Sequence, residues 1–341
     1  MTTIHRVLIA GRLEPEHVGA HFFSAARQLK LDARAIDLNG AWSRSIWLNR
    51  LSRRLLQRRP VNLSDFGRQT VEVCREFQPQ LLLVTGIAAP PAFALRQARE
   101  LGVRCVNFLT DDPWNPAMSA RFFWPALGEY DVVFSPRRAN IDDLRRHGCR
   151  RVEYLPFAYN PEFHYSEAPT SSKELEQFSA DVVIIGGADP DRTPLAIALA
   201  RAGLRLALYG SYWNRTPELR PFYKGFAYGD VCRKAICGAT VNIGLVRRAN
   251  RDGHAMRSLE LPAMQACMVV EDTREHRELF GKDGECIEYY TNHDELVCKV
   301  QALCQQTERA RELGERVYRK ICVDTRNSYA DRLRKIIEAA Q

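Results

Sequence analysis

Residues 250–280, NRDGHAMRSLELPAMQACMVVEDTREHRELF, hold the densest set of side chains able to do chemistry. Asp252-Gly253 reads as a turn, 256–265 as a helix, 266–270 as a strand, and Glu271-Asp272-Thr273 as the start of another helix. A helix start facing a cleft presents free backbone N–H groups and a partial positive charge, which suits a diphosphate. Glu260 lies one turn inside the first helix, where its carboxylate could accept both hydroxyls of a ribose. Arg257 opens that helix as a candidate for the diphosphate charge, against the plainer reading of a surface ion pair.

Two further groups stand at the carboxyl ends of apolar runs. Gly186-Gly187 follows one and precedes a helical pattern with Arg192 near its start, so bare backbone can approach a phosphate while the guanidinium neutralises it. Gly210, with Ser211-Tyr212-Trp213, ends the next run at the same expected sheet edge. Asp111 and Asp112, in Leu-Thr-Asp-Asp-Pro-Trp, could act as a general base on an acceptor hydroxyl, although Asp-Pro is also an ordinary turn device. The Asp189-Pro190-Asp191 triplet reads as a turn before a helix, and no metal is assigned.

The elements that must position these groups are short apolar strands alternating with helices. Strands are expected at 6–10, 33–38, 80–84, 104–109, 131–135 and 152–155, and again at 181–185, 204–209, 239–245, 266–270 and 286–289. Such alternation demands parallel pairing, because parallel strands need crossover connections. The sequence therefore predicts an α/β chain of two Rossmann-like, doubly wound parallel-sheet domains facing a cleft. Their bounds are 1–160 for the first and 180–325 for the second. A Pro-, Ser- and Thr-rich linker at 161–179 joins them, and a terminal helix, 326–341, packs back on the first domain.

Length and composition agree with two globular cores: 341 residues with a net charge of +8. No apolar run approaches the ~20 residues of a membrane span, and the polar start lacks a secretory run, so a cytoplasmic location is expected. Ten scattered cysteines read as buried thiols, without zinc spacing. Residues 42–59, WSRSIWLNRLSRRLLQRR, are amphipathic at helical spacing: Trp47, Leu48, Leu51 and Leu55 share one side, while Arg50, Arg53, Arg54 and Arg58 lie largely on another. Such a helix can rest on the inner face of an anionic membrane, but the preferred reading is that its apolar stripe covers the sheet and leaves the arginines in water. Nucleic acid is not expected as a partner, because the arginines lack interleaved stacking residues.

The order strand-Gly, turn, Arg-x-x-Glu, apolar helix, strand, acidic-Thr and helix resembles the C-terminal domain of CgeB-type glycosyltransferase-like proteins, relatives of the group-1 glycosyltransferases. The resemblance takes in YDVVFSPRRANIDDLRRHGCRRVEYLPFAYNP, DVVIIGGADPDRTPLAIALARAGLRLALYGSYW and TNHDELVCKV, more than half of the chain. It implies a GT-B fold and a metal-independent, hexosyltransferase-like enzyme with no cofactor. A nucleoside-diphosphate sugar, bound by the domain 180–325, would be its donor, and a glycan, lipid-linked, protein or small-molecule acceptor, bound by the acceptor domain 1–160, its second substrate. It also implies that Glu260 binds the ribose and that Asp252, where the family usually has glutamate, approaches the donor sugar. Residues 225–228, with Phe226, would surround the base, and His21 is a rival catalytic base to Asp111 and Asp112, against its plainer reading as a solvated helix residue. The alternative is a non-catalytic nucleotide-binding or scaffold protein of the same fold.

Overall fold

A computed structural model describes residues 4–55, 58–87 and 90–341, apart from the side chain of Arg53. The chain divides into two compact units. One comprises Met1–Pro156, Ala249–Arg251 and Tyr329–Gln341, and the other Phe157–Arg248 and Asp252–Ser328.

In the first unit six strands pair in parallel: β1 (Arg6–Gly11), β2 (Asp32–Asp37), β3 (Leu81–Thr85), β4 (Arg104–Phe108), β5 (Val132–Ser135) and β6 (Val152–Tyr154). Their order is β2-β1-β3-β4-β5-β6. Residues 7–10 and 81–84 are fully buried, as continuous apolar strands covered on both faces must be. The helix Tyr329–Ala340 packs on the helix Val18–Gln28, with the Tyr329 ring 5.0 Å from that of Phe22. It is tied further by Arg332 Nε donating to Pro156 O at 2.9 Å and by Arg151 Nη1 donating to Ala339 O at 2.8 Å.

One expectation for this unit is reversed. The helix Ile46–Leu55 does not cover the sheet with its apolar stripe: Trp47 is 77% exposed and Leu55 65%. It is the helix Leu63–Phe77 that supplies a stripe, Leu63, Phe66, Cys74 and Phe77, to the core. Leu56 and Gln57 of the 42–59 segment lie outside the described residues.

The second unit holds β7 (Ala180–Ile185), β8 (Leu206–Tyr209), β9 (Ala239–Gly244), β10 (Met268–Glu271) and β11 (Glu288–Tyr290), all parallel, in the order β11-β10-β9-β7-β8. The chain passes from β7 to β8 on one side and then crosses to β9 on the other. The strand order thus reverses between β7 and β9, and ligands of open α/β sheets bind outside the carboxyl ends at such a reversal. The loops at that point are those after Ile185 and after Gly244.

Residues 161–179, read from composition as a linker, belong to this unit and carry the helix Ser172–Phe178, opened by a reciprocal cap between Ser171 and Glu174. Lys234 Nζ reaches Glu174 at 2.7 Å from a second helix that composition did not announce, Gly229–Cys237. Cys74, Cys105 and Cys267 are buried free thiols, and burial pushes that of Cys267 up to about 12. Among the described residues no helix is long and apolar enough to cross a membrane.

Candidate functional site

The loop after β7 is shaped by glycine. Gly186 has φ +151 and Gly210, at the end of β8, has φ +126, both in the region that side chains avoid. A Cβ on Gly210 would lie 2.5 Å from the Gly186 carbonyl carbon, so the two backbones meet without room for a methyl group. Trp213, fully buried, donates from Nε1 to Gly186 O at 2.7 Å and fixes the peptide's orientation. Gly210 N donates in turn to Gly225 O at 2.8 Å, which brings the following segment to the same edge. There Phe226 and Tyr228, each more than half exposed, lie parallel with ring centroids 6.0 Å apart.

Arg192 folds back over this turn. It is 8% exposed, its Nη1 donates to Gly187 O at 3.2 Å, and its buried Nε lies 3.3 Å from Asp189 Oδ2, an ion pair without an aligned hydrogen bond. Burial holds its pKa below the ordinary arginine value, and Asp189 and Asp252 support its charge while Arg247 opposes it. Asp189 accepts from the N–H groups of Asp191 and Arg192 at 3.0 and 2.9 Å, so the Asp-Pro-Asp triplet serves the helix start. The sequence-named Gly186, Gly187, Arg192, Gly210 and Phe226 are thus brought together.

Glu260 has close partners of its own. It is 2% exposed on the helix Arg257–Ala263 and accepts a hydrogen bond from Arg257 Nη1. His164 Nε2 lies 3.5 Å from its other oxygen. His164 Nδ1 accepts from Asn160 N at 3.0 Å, so the neutral ring carries its proton on Nε2 and points it at the carboxylate. Burial, with Arg257 and Arg233 nearby, pushes the His164 pKa down to about 3, so this is a neutral contact and not an ion pair.

The loop that leads into this helix is pinned by residues sequence reasoning left without roles. Ala255 N donates to Ser258 Oγ at 3.1 Å, and Ser258 Oγ lies 2.8 Å from His276 Nε2. His276 Nδ1 donates to Glu271 O at 2.8 Å, which leaves Nε2 to accept from the serine. His254 Nδ1 meets Glu275 Oε2 at 2.7 Å and its Nε2 accepts from Phe157 N at 3.2 Å. Asp252 belongs to the same loop, closed where Arg247 N donates to its carboxylate at 3.3 Å. Histidines at 254 and 276 inside a charged stretch were the only signal available.

The buried His276 ring makes the fold acid-labile. Burial pushes the His276 pKa down from its ordinary value to about 4, whereas the unfolded ring titrates near ~6.5. The unfolded state therefore takes up protons first, and stability present above about pH 6.5 is lost as pH falls toward about 4. His276 alone accounts for up to roughly 3 kcal/mol of that loss. The urea midpoint is expected to drop between pH 7 and pH 4.5 in the parent, and His276→Gln should flatten the profile. Parallel profiles would remove His276 as the titrating group.

In the first unit Asp111 and Asp112 differ sharply. Asp112 is 1% exposed and accepts from Trp114 N at 2.9 Å, Asn140 Nδ2 at 2.8 Å, and Arg251 Nε and Nη2 at 2.6 and 3.1 Å. Its acceptor capacity is committed to holding the loop. Asp111 is half-buried and accepts from Thr110 Oγ1 at 3.1 Å and Asn250 Nδ2 at 3.2 Å. His21 is not solvated: it is 1% exposed and stacks on Tyr329, with ring centroids 5.1 Å apart. A partner helix from the end of the chain covers it.

Residues 192–338, less than half of the chain, match the family described as glycosyl transferase-like. No curated protein matches the chain. Sucrose-phosphate synthase from Thermosynechococcus elongatus is similar over 98% of both chains, at 10% identity and a TM-score of 0.65. A structure described as trehalose-6-phosphate from E. coli bound with UDP-2-fluoro glucose is similar over 98% of this chain and 99% of that one, at 10% identity and a TM-score of 0.63. A glycosyltransferase from Rickettsia africae ESF-5 is similar over 99% of both, at 10% identity and a TM-score of 0.62. Likeness at this identity shows the fold, which is GT-B. Family match and fold together support a glycosyltransferase.

Proposed function

We propose that this chain, a CgeB-type relative of the group-1 enzymes, moves a hexosyl group from a nucleoside-diphosphate sugar to an acceptor held by the first unit, without a metal ion or cofactor. The observation that carries the reading is Arg192: a buried guanidinium whose Nε makes an ion pair with Asp189 at 3.3 Å but no aligned hydrogen bond, folded over the bare Gly186-Gly187 backbone at the strand-order reversal. A diphosphate supplies an aligned acceptor and negative charge beyond that of Asp189.

The base then stacks on the exposed Phe226 and Tyr228, and the ribose hydroxyls reach Glu260 once Arg257 turns from it to the diphosphate. Asp252, beside Arg192, approaches the donor sugar. As the anomeric C–O bond breaks, its electron pair leaves on the diphosphate and the sugar gains oxocarbenium character. Arginines preorganised around the leaving group lower the barrier most. The acceptor hydroxyl closes on the anomeric carbon and gives up its proton. Asp111 is the less encumbered of the two candidate bases, because the Asp112 oxygens are already filled.

The structure with UDP-2-fluoro glucose makes UDP the first nucleotide to try. In a melting screen of UDP, GDP, dTDP and CMP, one nucleotide is expected to stabilise the chain, by about 2.7 kcal/mol at a hundredfold excess over Kd. Arg192→Met should abolish that gain. Stabilisation by none of the four, or an undiminished gain in Arg192→Met, removes this assignment. A nucleotide-binding protein without turnover is the alternative that the committed Asp112 favours, and nucleotide release from sugar donors separates the two.

A further inference from the structure

The helix Ile46–Leu55 inverts the usual arrangement of an amphipathic helix on a core. Its buried contacts are polar: Ser52, 3% exposed, donates to Arg59 O, and Asn49 Nδ2 donates to Ser43 O at 2.7 Å. Its large apolar side chains face water, with Ile46 68%, Trp47 77%, Leu51 55% and Leu55 65% exposed. Each forgoes roughly 1.5–3 kcal/mol of burial, which a monomer rarely tolerates on consecutive turns without a partner.

The charge around it has one sign. Between residues 38 and 61 there are six arginines and no aspartate or glutamate. Arg50, Arg54 and Arg58, spaced by four, line a cavity of about 610 Å³ whose walls include Trp42, Met118 and Phe122. Among the described residues none of these three guanidiniums meets a carboxylate; Arg50 lies over the Trp47 ring, 5.4 Å from its centroid.

We propose that this helix and the cavity beside it form a docking face for an anionic phospholipid surface. Arg50, Arg54 and Arg58 receive lipid phosphates, while Trp47, Leu51 and Leu55 enter the boundary between headgroups and acyl chains. A second copy of the same face would bring six like charges against six. A nucleic acid would leave the leucines against a hydrated backbone, whereas a bilayer boundary satisfies both kinds of side chain at once. The proposal stands whether or not the chain transfers sugar.

Co-sedimentation of the full chain with vesicles tests it. Binding is expected to vesicles of phosphatidylglycerol and phosphatidylcholine in equal parts, not to phosphatidylcholine alone, with Trp47 emission shifting to the blue. Arg50→Ser with Arg54→Ser should weaken binding about tenfold or more. Leu51→Ser with Leu55→Ser should weaken it comparably, although it leaves the charge intact. All substituted side chains are exposed, and an unchanged urea midpoint verifies that each variant is folded; Trp47→Glu serves if either pair is not. No sedimentation above the phosphatidylcholine level overturns the proposal. So does binding that only the arginine pair weakens and that single-stranded DNA fully competes, which would mark a general polyanion site, or a dimer that the leucine pair abolishes in the absence of lipid binding.

Discussion

Gly210→Ala is expected to destabilise the second unit by about 2 to 6 kcal/mol and to abolish nucleotide binding, combining the cost of a forced backbone with that of an overfilled site. At φ +126 a side chain is strained whatever the space, and here the space is filled as well. The added carbon would meet backbone on three sides: Gly186 C and O at 2.5 Å and Gly187 N at 2.9 Å. Backbone cannot swing aside as a lysine tip can, so relief requires the Gly186 turn to move. That turn is the surface proposed for the diphosphate, which is why stability and binding should fall together. Gly203→Ala is the control: its φ is +76 but nothing stands within 4 Å, so only strain of about 1 to 2 kcal/mol is expected. Urea unfolding and nucleotide titration measure both. If the two variants lose the same stability, the close approach of the two turns is not what shapes the site.

Glu260→Gln is expected to lower nucleotide affinity roughly a hundredfold, since two hydrogen bonds from ribose hydroxyls to a carboxylate contribute about 3 kcal/mol even at the low end of their range. Its effect on folding should be smaller. The guanidinium left behind belongs to Arg257, whose side chain is 31% exposed, so water can take the lost partner's place. Arg257→Ala reverses the balance. It strands a carboxylate that is 2% exposed beside a neutral histidine, and about 3 to 5 kcal/mol of stability should go with it. The chemical assignment is checked with a 2′-deoxynucleotide, which should bind the parent more weakly than the ribonucleotide and bind Glu260→Gln equally with it. A persisting preference for the 2′-hydroxyl in Glu260→Gln would place the ribose elsewhere.

Both variants follow from residues that the sequence singled out, and the reason is local. Gly186, Gly187 and Gly210 follow unbroken apolar runs, and Glu260 sits at a fixed offset within a turn-helix-strand pattern, so a few neighbours suffice to suggest their use. Most of the eleven strands among the described residues announced themselves in the same way, as short apolar runs. What stayed hidden depends on partners distant in the chain. An apolar stripe shows that the helix Ile46–Leu55 has two sides, but not that it is the helix Leu63–Phe77 that packs on the core. His21 looks like a solvated first-turn residue until Tyr329 is laid over it. The committed state of Asp112 needs Asn140 and Arg251, neither of which is near it in sequence. The helix Gly229–Cys237 escaped because its Tyr228 cap makes no side-chain bond and a glycine flanks it.

The division of the chain bears on how the protein is made. The first unit holds Met1–Pro156 but also owns Tyr329–Gln341, so the ribosome completes it only after the second unit is made. Until the final helix emerges, Phe22 and His21 lack the ring that covers them and the Pro156 carbonyl lacks its Arg332 donor. A nascent chain stalled short of that helix therefore displays unfinished apolar surface on its older half, whereas every segment of the younger half is already present. Loss of residues 329–341 would therefore wound the unit that holds residues 1–156 before the other.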